Sequence, residues 1–144
     1  MIQKAEMKDL SALAELACQL WPHHGREEMA EELMQINQQD DAAFFLAYEG
    51  GNAVGFAQCQ LRHDYVEGTE SSPVGYLEGI YVADGYRKRG IARKLLSACE
   101  NWAKAQGCAE FASDCELGNK QSLQFHLRVG FAEANRIICF TKKL

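Results

Sequence analysis

Apolar residues recur along this chain at two alternating periods, and the switches between them mark out its elements. Ile2–Ala5 reads as a short strand. Leu10, Leu13, Leu16, Ala17 and Leu20 then repeat at helical spacing until Trp21-Pro22 ends the run. Met29, Leu33 and Ile36 predict a second helix over about Arg26–Gln38. Phe44–Glu49 and Ala53–Leu61 alternate as strands, and Gly50-Gly51-Asn52 between them is a hairpin signal. A polar stretch, Asp64–Val74, leads into the largely apolar strand Tyr76–Val82. Ile91, Leu95, Cys99 and Trp102 stripe a long third helix closed by Gly107. Glu110–Asp114 reads as a strand, and Lys120–Val129 as a helix with Leu123 and Leu127 on one face. Phe131–Ala134 and Ile137–Thr141 read as closing strands. No linker, repeat or low-complexity tract breaks the pattern, so residues 1–144 are expected to form one α/β domain.

The junction between the Tyr76–Val82 strand and the third helix is chemically unusual. After the turn Ala83-Asp84-Gly85-Tyr86 come Arg87, Lys88, Arg89, Gly90, Ile91 and Ala92. A helix start presents unpartnered N–H groups and the positive end of the helix dipole. Three cations there have the wrong sign for that dipole, at a cost of roughly 0.3–1 kcal/mol each. The arrangement makes sense with an anion between them, and Gly90, lacking a Cβ, lets a bulky one approach. No Gly-Lys-Ser/Thr triplet follows, so this is not a P-loop, and it does not fit the Gly-x-Gly-x-x-Gly dinucleotide fingerprint.

Arg87-x-x-Gly90-x-Ala92, placed after a strand and before a helix, resembles the acyl-CoA signature of the GNAT N-acetyltransferase superfamily. The order of elements is similar to that fold throughout, including Gly130-Phe131 after the last helix. The resemblance implies a mixed, mostly antiparallel sheet with a splayed central strand pair, flanked by four helices. It also implies acetyl-CoA as acetyl donor, with its pyrophosphate over Arg87–Ala92 and its pantetheine arm along the backbone of Ile80, Tyr81 and Val82. Asn119 resembles the family's loop asparagine near the cofactor. His126 stands where many members place a tyrosine that protonates the departing thiolate.

Asp64–Gly75 running into Tyr76–Val82, together with Glu110–Asp114 and Phe140–Lys143, resembles the aminoglycoside 6′-N-acetyltransferases more narrowly. This implies a small-molecule aminoglycoside substrate, antibiotic resistance, and a homodimer in which Ile137–Phe140 pairs across an interface or else closes its own sheet. Other readings stay open: a GNAT enzyme acetylating a polyamine or a protein N-terminus, or a non-catalytic acyl-CoA sensor.

Composition narrows the field further. A content of 47% hydrophobic and 24% charged residues is that of a globular protein. No apolar run approaches the ~20 residues of a membrane span, and Met1–Glu6 lacks the features of a signal peptide. A cytoplasmic location is expected. The net charge of −5 argues against nucleic acid as a partner. The six cysteines form no Cys-x-x-Cys pair and have no accompanying histidine cluster, and most fall in apolar helix or strand patterns. Core thiols are therefore expected rather than a metal site or disulfides, with Cys115, beside a candidate site residue, as the exception.

Acetyl transfer to a primary amine needs that amine neutral, and an alkylammonium has a pKa of about 10.4 in water. A carboxylate can hold it and take the proton. Glu78 is a poor residue for strand packing; it lies two before Ile80 and is expected to face the same side as Ile80 and Val82. Asp114, at the end of the neighbouring strand, is expected to face the gap. The resemblance makes both ligands of the amine and base candidates. Glu67 and Glu70 would add an acidic rim for a polycation. Trp21 and Tyr65, expected to be partly in the core, would wall the acceptor pocket. Nothing beside Cys115 supplies a histidine base, so direct attack of the amine is expected rather than an acyl-enzyme.

Overall fold

A computed structural model describes residues 1–144. The chain runs β1 (Ile2–Lys4), α1 (Leu10–Leu20), α2 (Arg26–Asn37), β2 (Ala42–Glu49), β3 (Asn52–Arg62), β4 (Val74–Val82), α3 (Ile91–Ala105), β5 (Phe111–Ser113) and α4 (Lys120–Arg128). The five strands lie in the order β1-β2-β3-β4-β5. The first three pairings are antiparallel and β4 with β5 is parallel.

The amphipathic periods dictate the layers. Leu13, Leu16 and Ala17 of α1 and Met29 and Leu33 of α2 bury themselves on one sheet face against Phe44, Leu46 and Phe56. On the other face Leu95, Leu96 and Cys99 of α3 pack on Ala43, Val54, Ala57, Leu77 and Val82. Complete burial of each large apolar side chain contributes roughly 1.5–3 kcal/mol. In α4, His126 takes an inner position, stacked near Phe131, while Leu127, expected on the packed stripe, is exposed. All six thiols are free, but only Cys59 and Cys99 are buried. Cys139, in a tail that joins no sheet, is exposed, contrary to the expectation of a core thiol, and so is Cys115, the thiol set apart.

Two features of β4 shape everything near it. Gln58 pairs with Gly79 and Cys59 with Leu77, so Glu78 is an extra residue, a bulge. The bulge resets the alternation. Tyr76 before it and Glu78 itself lie on the α1–α2 face, and Gly79 and Tyr81 follow on that same face, with Gly79 against Trp21 and Tyr81 bonded to Gln19. Ile80 and Val82 turn to the α3 face with Leu77. Glu78 therefore faces away from Ile80 and Val82, correcting the period-two expectation. The second feature is early divergence: pairing with β5 covers only Gly75–Leu77 against Phe111–Ser113, while β4 continues to Val82.

The expected closing strands are absent. Residues 131–144 form no strand, and the sheet ends at β5. Their alternation is strand-like, but a strand needs a partner edge, and this segment pairs with none within the chain. Phe131 turns in against Phe111 and His126. Asn135 donates to Glu67 at 3.2 Å, so the tail crosses the 64–73 loop. Beyond it Ile137, Ile138 and Phe140 are 69%, 79% and 88% exposed.

Gly75 sits where β4, β5 and α3 meet, and a Cβ there would lie 2.6 Å from Phe111 and 2.7 Å from Ala103. Gly75→Ala is expected to destabilise the protein by about 1–3 kcal/mol through overpacking, whereas Gly118→Ala, in open space, should stay within about 0.5 kcal/mol. Urea unfolding of the two variants measures the contrast.

Candidate active site

The fork between β4 and β5 opens toward the turn before α3 on one side and the α1–α2 face on the other. Past Leu77, β4 has a strand neighbour on one side only, so alternate N–H and C=O groups of Glu78–Val82 point into the gap. At the far end of β4 the chain turns through Gly85, Lys88 and Gly90, all with left-handed φ of +81°, +63° and +80°. Lys88 and Gly90 alternate with residues of ordinary φ, the pattern that gathers successive N–H groups into an anion-binding nest. Gly90 is the N-cap of α3, no side chain caps that helix, and the space where a Cβ would stand is open.

The cations around this nest are partly committed. Arg87 donates through Nε to the Val82 carbonyl at 2.7 Å and pairs with Asp84 at 2.9 Å, which locks the turn. Arg89 pairs with Glu49 at 3.2 Å and lies over the Tyr86 ring. Lys88 is exposed. Ile91 is buried and Ala92 half-buried, so they offer backbone N–H groups rather than side chains. An open edge, an uncapped helix start and a nest fit the pyrophosphate and pantetheine of acetyl-CoA.

Asn119 caps α4, its Oδ1 accepting from the Ser122 N–H at 3.0 Å. His126 lies beside the fork. Its Nδ1 is 2.7 Å from the Ser122 carbonyl and therefore carries a hydrogen. Its Nε2 is 2.8 Å from Ser113 Oγ, which is itself 3.3 Å from the Leu77 carbonyl, at the last paired position of the two strands.

On the α1–α2 face, one continuous array links both expected carboxylates. Arg62 Nε and Nη2 grip the two oxygens of Glu78 at 3.1 and 2.7 Å. The same guanidinium stacks 3.5 Å from the centre of the Tyr76 ring. The Tyr76 hydroxyl donates to Asp114 Oδ2 across the fork. Burial, and then this hydrogen bond, push the Tyr76 hydroxyl well above its usual pKa, so it stays a donor. The bond to Glu78 raises Arg62 further still, keeping it a cation.

Glu78 is mostly buried, with 18% of its side chain exposed. It borders a cavity of about 220 Å³ walled also by Trp21, His24, Glu32 and Gln58. Trp21 sits edge-on to Phe56, partly in the core as expected. A larger open hollow of about 450 Å³ lies at the β1–β2 end of the sheet, beside Met1, Tyr48 and Gly51. There both Asp9 oxygens are engaged, by Tyr48 and by the Glu6 N–H.

Tyr65, Glu67 and Glu70 do not hydrogen-bond to this array. Tyr65 is 76% exposed rather than partly in the core, and its hydroxyl accepts from the Gly68 N–H at 3.4 Å. Glu67 binds Asn135. Their loop is pinned by Glu110, whose Oε1 accepts from the Glu70 and Ser71 N–H groups, both at 2.9 Å, and from Ser71 Oγ at 2.5 Å. Arg62, Tyr76 and Glu110 escaped the sequence reading. Tyr76 carried a signal, standing two residues before Glu78 on one strand, but Arg62 and Glu110 meet their partners only through strand pairing and loop closure.

The bonds from Ser71 and then the Glu70 N–H hold the Glu110 carboxylate below its ordinary pKa. The pinning is therefore complete above the unfolded value of about 4.3 and is lost as pH falls through the lower folded value. Glu110→Ala at neutral pH is expected to speed amide exchange at Glu70 and Ser71 without changing it in β3, and wild type should do the same only below about pH 4.

Residues 10–131 match the family described as Acetyltransferase (GNAT) family. The chain is 42% identical over 125 residues to the aminoglycoside N(6′)-acetyltransferase type 1 of Salmonella typhimurium (strain LT2), covering 87% of this chain and 86% of the relative. It is 40% identical to the protein of that name from Serratia marcescens, over all of this chain and 99% of the relative. The solved structure of aminoglycoside N-acetyltransferase AAC(6′)-Iy in complex with CoA superposes with a TM-score of 0.97 at 39% identity, covering 100% of this chain and 95% of that one. The complex of AAC(6′)-Iy with the bisubstrate analogue CoA-S-monomethyl-acetylneamine gives 0.96 at 39% identity, covering 100% and 98%. With the fold, the nest and the open strand edge in agreement, the chain belongs to the GNAT acetyltransferase family.

Proposed function

We propose that this protein transfers the acetyl group of acetyl-CoA to the 6′-amine of aminoglycoside antibiotics, by direct attack in a ternary complex, and thereby confers resistance. The observation that carries the reading is the joining of Glu78 and Asp114 through Arg62 and Tyr76 on the acceptor face of the fork. Glu78, on a cavity walled also by Trp21 and Glu32, and the exposed Asp114 suit an amino sugar. The relatives at 42% and 40% identity and the neamine-derived analogue bound by AAC(6′)-Iy support the same acceptor class.

Acetyl-CoA, when bound, supplies the thioester. The nest of Arg87, Lys88, Arg89, Gly90, Ile91 and Ala92 holds its pyrophosphate through backbone N–H groups and flanking charge, and Ile80, Tyr81 and Val82 offer the free edge to pantetheine. Asn119 and His126 line the cofactor from α4. On the acceptor side Glu78 and Asp114 bind the amine and remove its proton. Unpaired N–H groups of β4 are available to a developing oxyanion. Trp21, Tyr65, Glu67 and Glu70 bound the antibiotic.

We also place residues 1–144 in one working unit, in the cytoplasm, where thiols stay reduced; the six free cysteines support that location. A homodimer is supported by the exposed Ile137, Ile138 and Phe140, which find no edge within their own chain and would pair with the partner's sheet.

Release of CoA thiol with kanamycin or tobramycin, against spermidine and a peptide N-terminus, tests the activity; turnover confined to the last two acceptors would overturn the acceptor assignment. Glu78→Gln and Asp114→Asn are each expected to lower kcat/KM by about 10²–10³ while acetyl-CoA affinity stays unchanged by calorimetry. Ile138→Lys with Phe140→Lys should convert a dimer to a monomer in sedimentation; a monomeric wild type would sink the dimer.

A further inference from the structure

The charge balance of the acceptor site is unequal, and the inequality assigns a role to Arg62. Both oxygens of Glu78 are taken by the guanidinium. Asp114 receives one hydrogen bond, from Tyr76 to Oδ2; its Oδ1 has no partner and the residue is exposed. Two carboxylates and one arginine leave the array with a single net negative charge, enough for one ammonium. His24 and Glu32 line the same cavity as Glu78.

An unshielded carboxylate in contact with an amine stabilises the ammonium form, raising the amine pKa and depleting the nucleophile. A neighbouring cation does the reverse. We propose that Arg62 is a positioning residue that neutralises Glu78, so that the site orients the acceptor amine without trapping it as ammonium and Asp114 takes the proton. The ammonium N–H proton passes to Asp114 Oδ1, and the lone pair left on nitrogen is the attacking pair. Tyr76 couples the two halves: its ring supports the guanidinium and its hydroxyl holds Asp114 at the fork. This inference rests on the amine-acetylation reading above.

The test uses the full-length protein, with kanamycin binding followed by calorimetry and turnover by CoA release. In Arg62→Met the bare Glu78 should bind kanamycin about tenfold tighter, because a competing cation is gone, while kcat falls about tenfold, as expected for one unit of upward shift in the amine pKa. Because Arg62 acts through Glu78, adding Arg62→Met to Glu78→Gln should cost nothing more than Glu78→Gln alone. Arg62→Lys keeps the positive charge but loses the two-point grip on Glu78 and the stacking on Tyr76, so its kcat should fall between those of wild type and Arg62→Met.

Weaker kanamycin binding with unchanged kcat in Arg62→Met, or an equal loss of kcat in the Glu78→Gln background, would overturn the proposal. If Arg62→Met does not fold, Arg62→Lys and Arg62→Gln decide the matter by the same two readouts. Wild-type turnover tests the acceptor assignment separately. Should wild type acetylate another primary amine, the same variants are compared with that amine, so failure of one idea is not mistaken for failure of the other.

Discussion

One extra residue in β4 governs the arrangement of the site. With Glu78 inserted opposite the Gln58–Cys59 step, Glu78, Gly79 and Tyr81 all face α1 and α2, while Leu77, Ile80 and Val82 seal the core beneath α3. A regular strand would put Glu78 and Gly79 on opposite faces. The bulge instead concentrates polar chemistry on one face and leaves the hydrophobic set of the other intact. It coincides with the end of β5 pairing at Leu77, so the local twist that bulges add falls where the strands part. Gly79 is part of the same solution, since a Cβ there would meet the Trp21 ring at 2.6 Å.

The two halves of the fork solve opposite electrostatic problems. On the proposed function the donor side would hold an anion with backbone geometry as much as with side chains: Arg87 and Arg89 are anchored to Asp84, Val82 and Glu49, which fixes the turn. On the same reading the acceptor side would hold a cation yet release its proton. Bare carboxylates would do the first and oppose the second. Pairing Glu78 with Arg62 while leaving one Asp114 oxygen open separates the two tasks.

Loops and tail complete the acceptor side without touching the array. Glu110 anchors the 64–73 loop by three bonds to one oxygen, and Asn135 of the tail binds Glu67 on that loop. The exposed apolar end of the tail lies just beyond this contact. In the dimer proposed above, a partner chain covering it would also steady the rim of the proposed acceptor site.

The sequence by itself determined the elements from β1 to α4, because hydrophobic period, glycine turns and helix stops are local properties. It also placed Arg87–Ala92 at a strand–helix junction, where chain order alone puts cations beside free N–H groups. Tertiary structure decided the face of Glu78, since a bulge is a matter of register between two strands and leaves no mark on one of them. It decided the partners of Glu78 and Asp114, because Arg62 and Tyr76 reach them across strands. It also left Ile137–Phe140 unpaired, since alternation confers the capacity to form a strand and only an available edge turns that capacity into one.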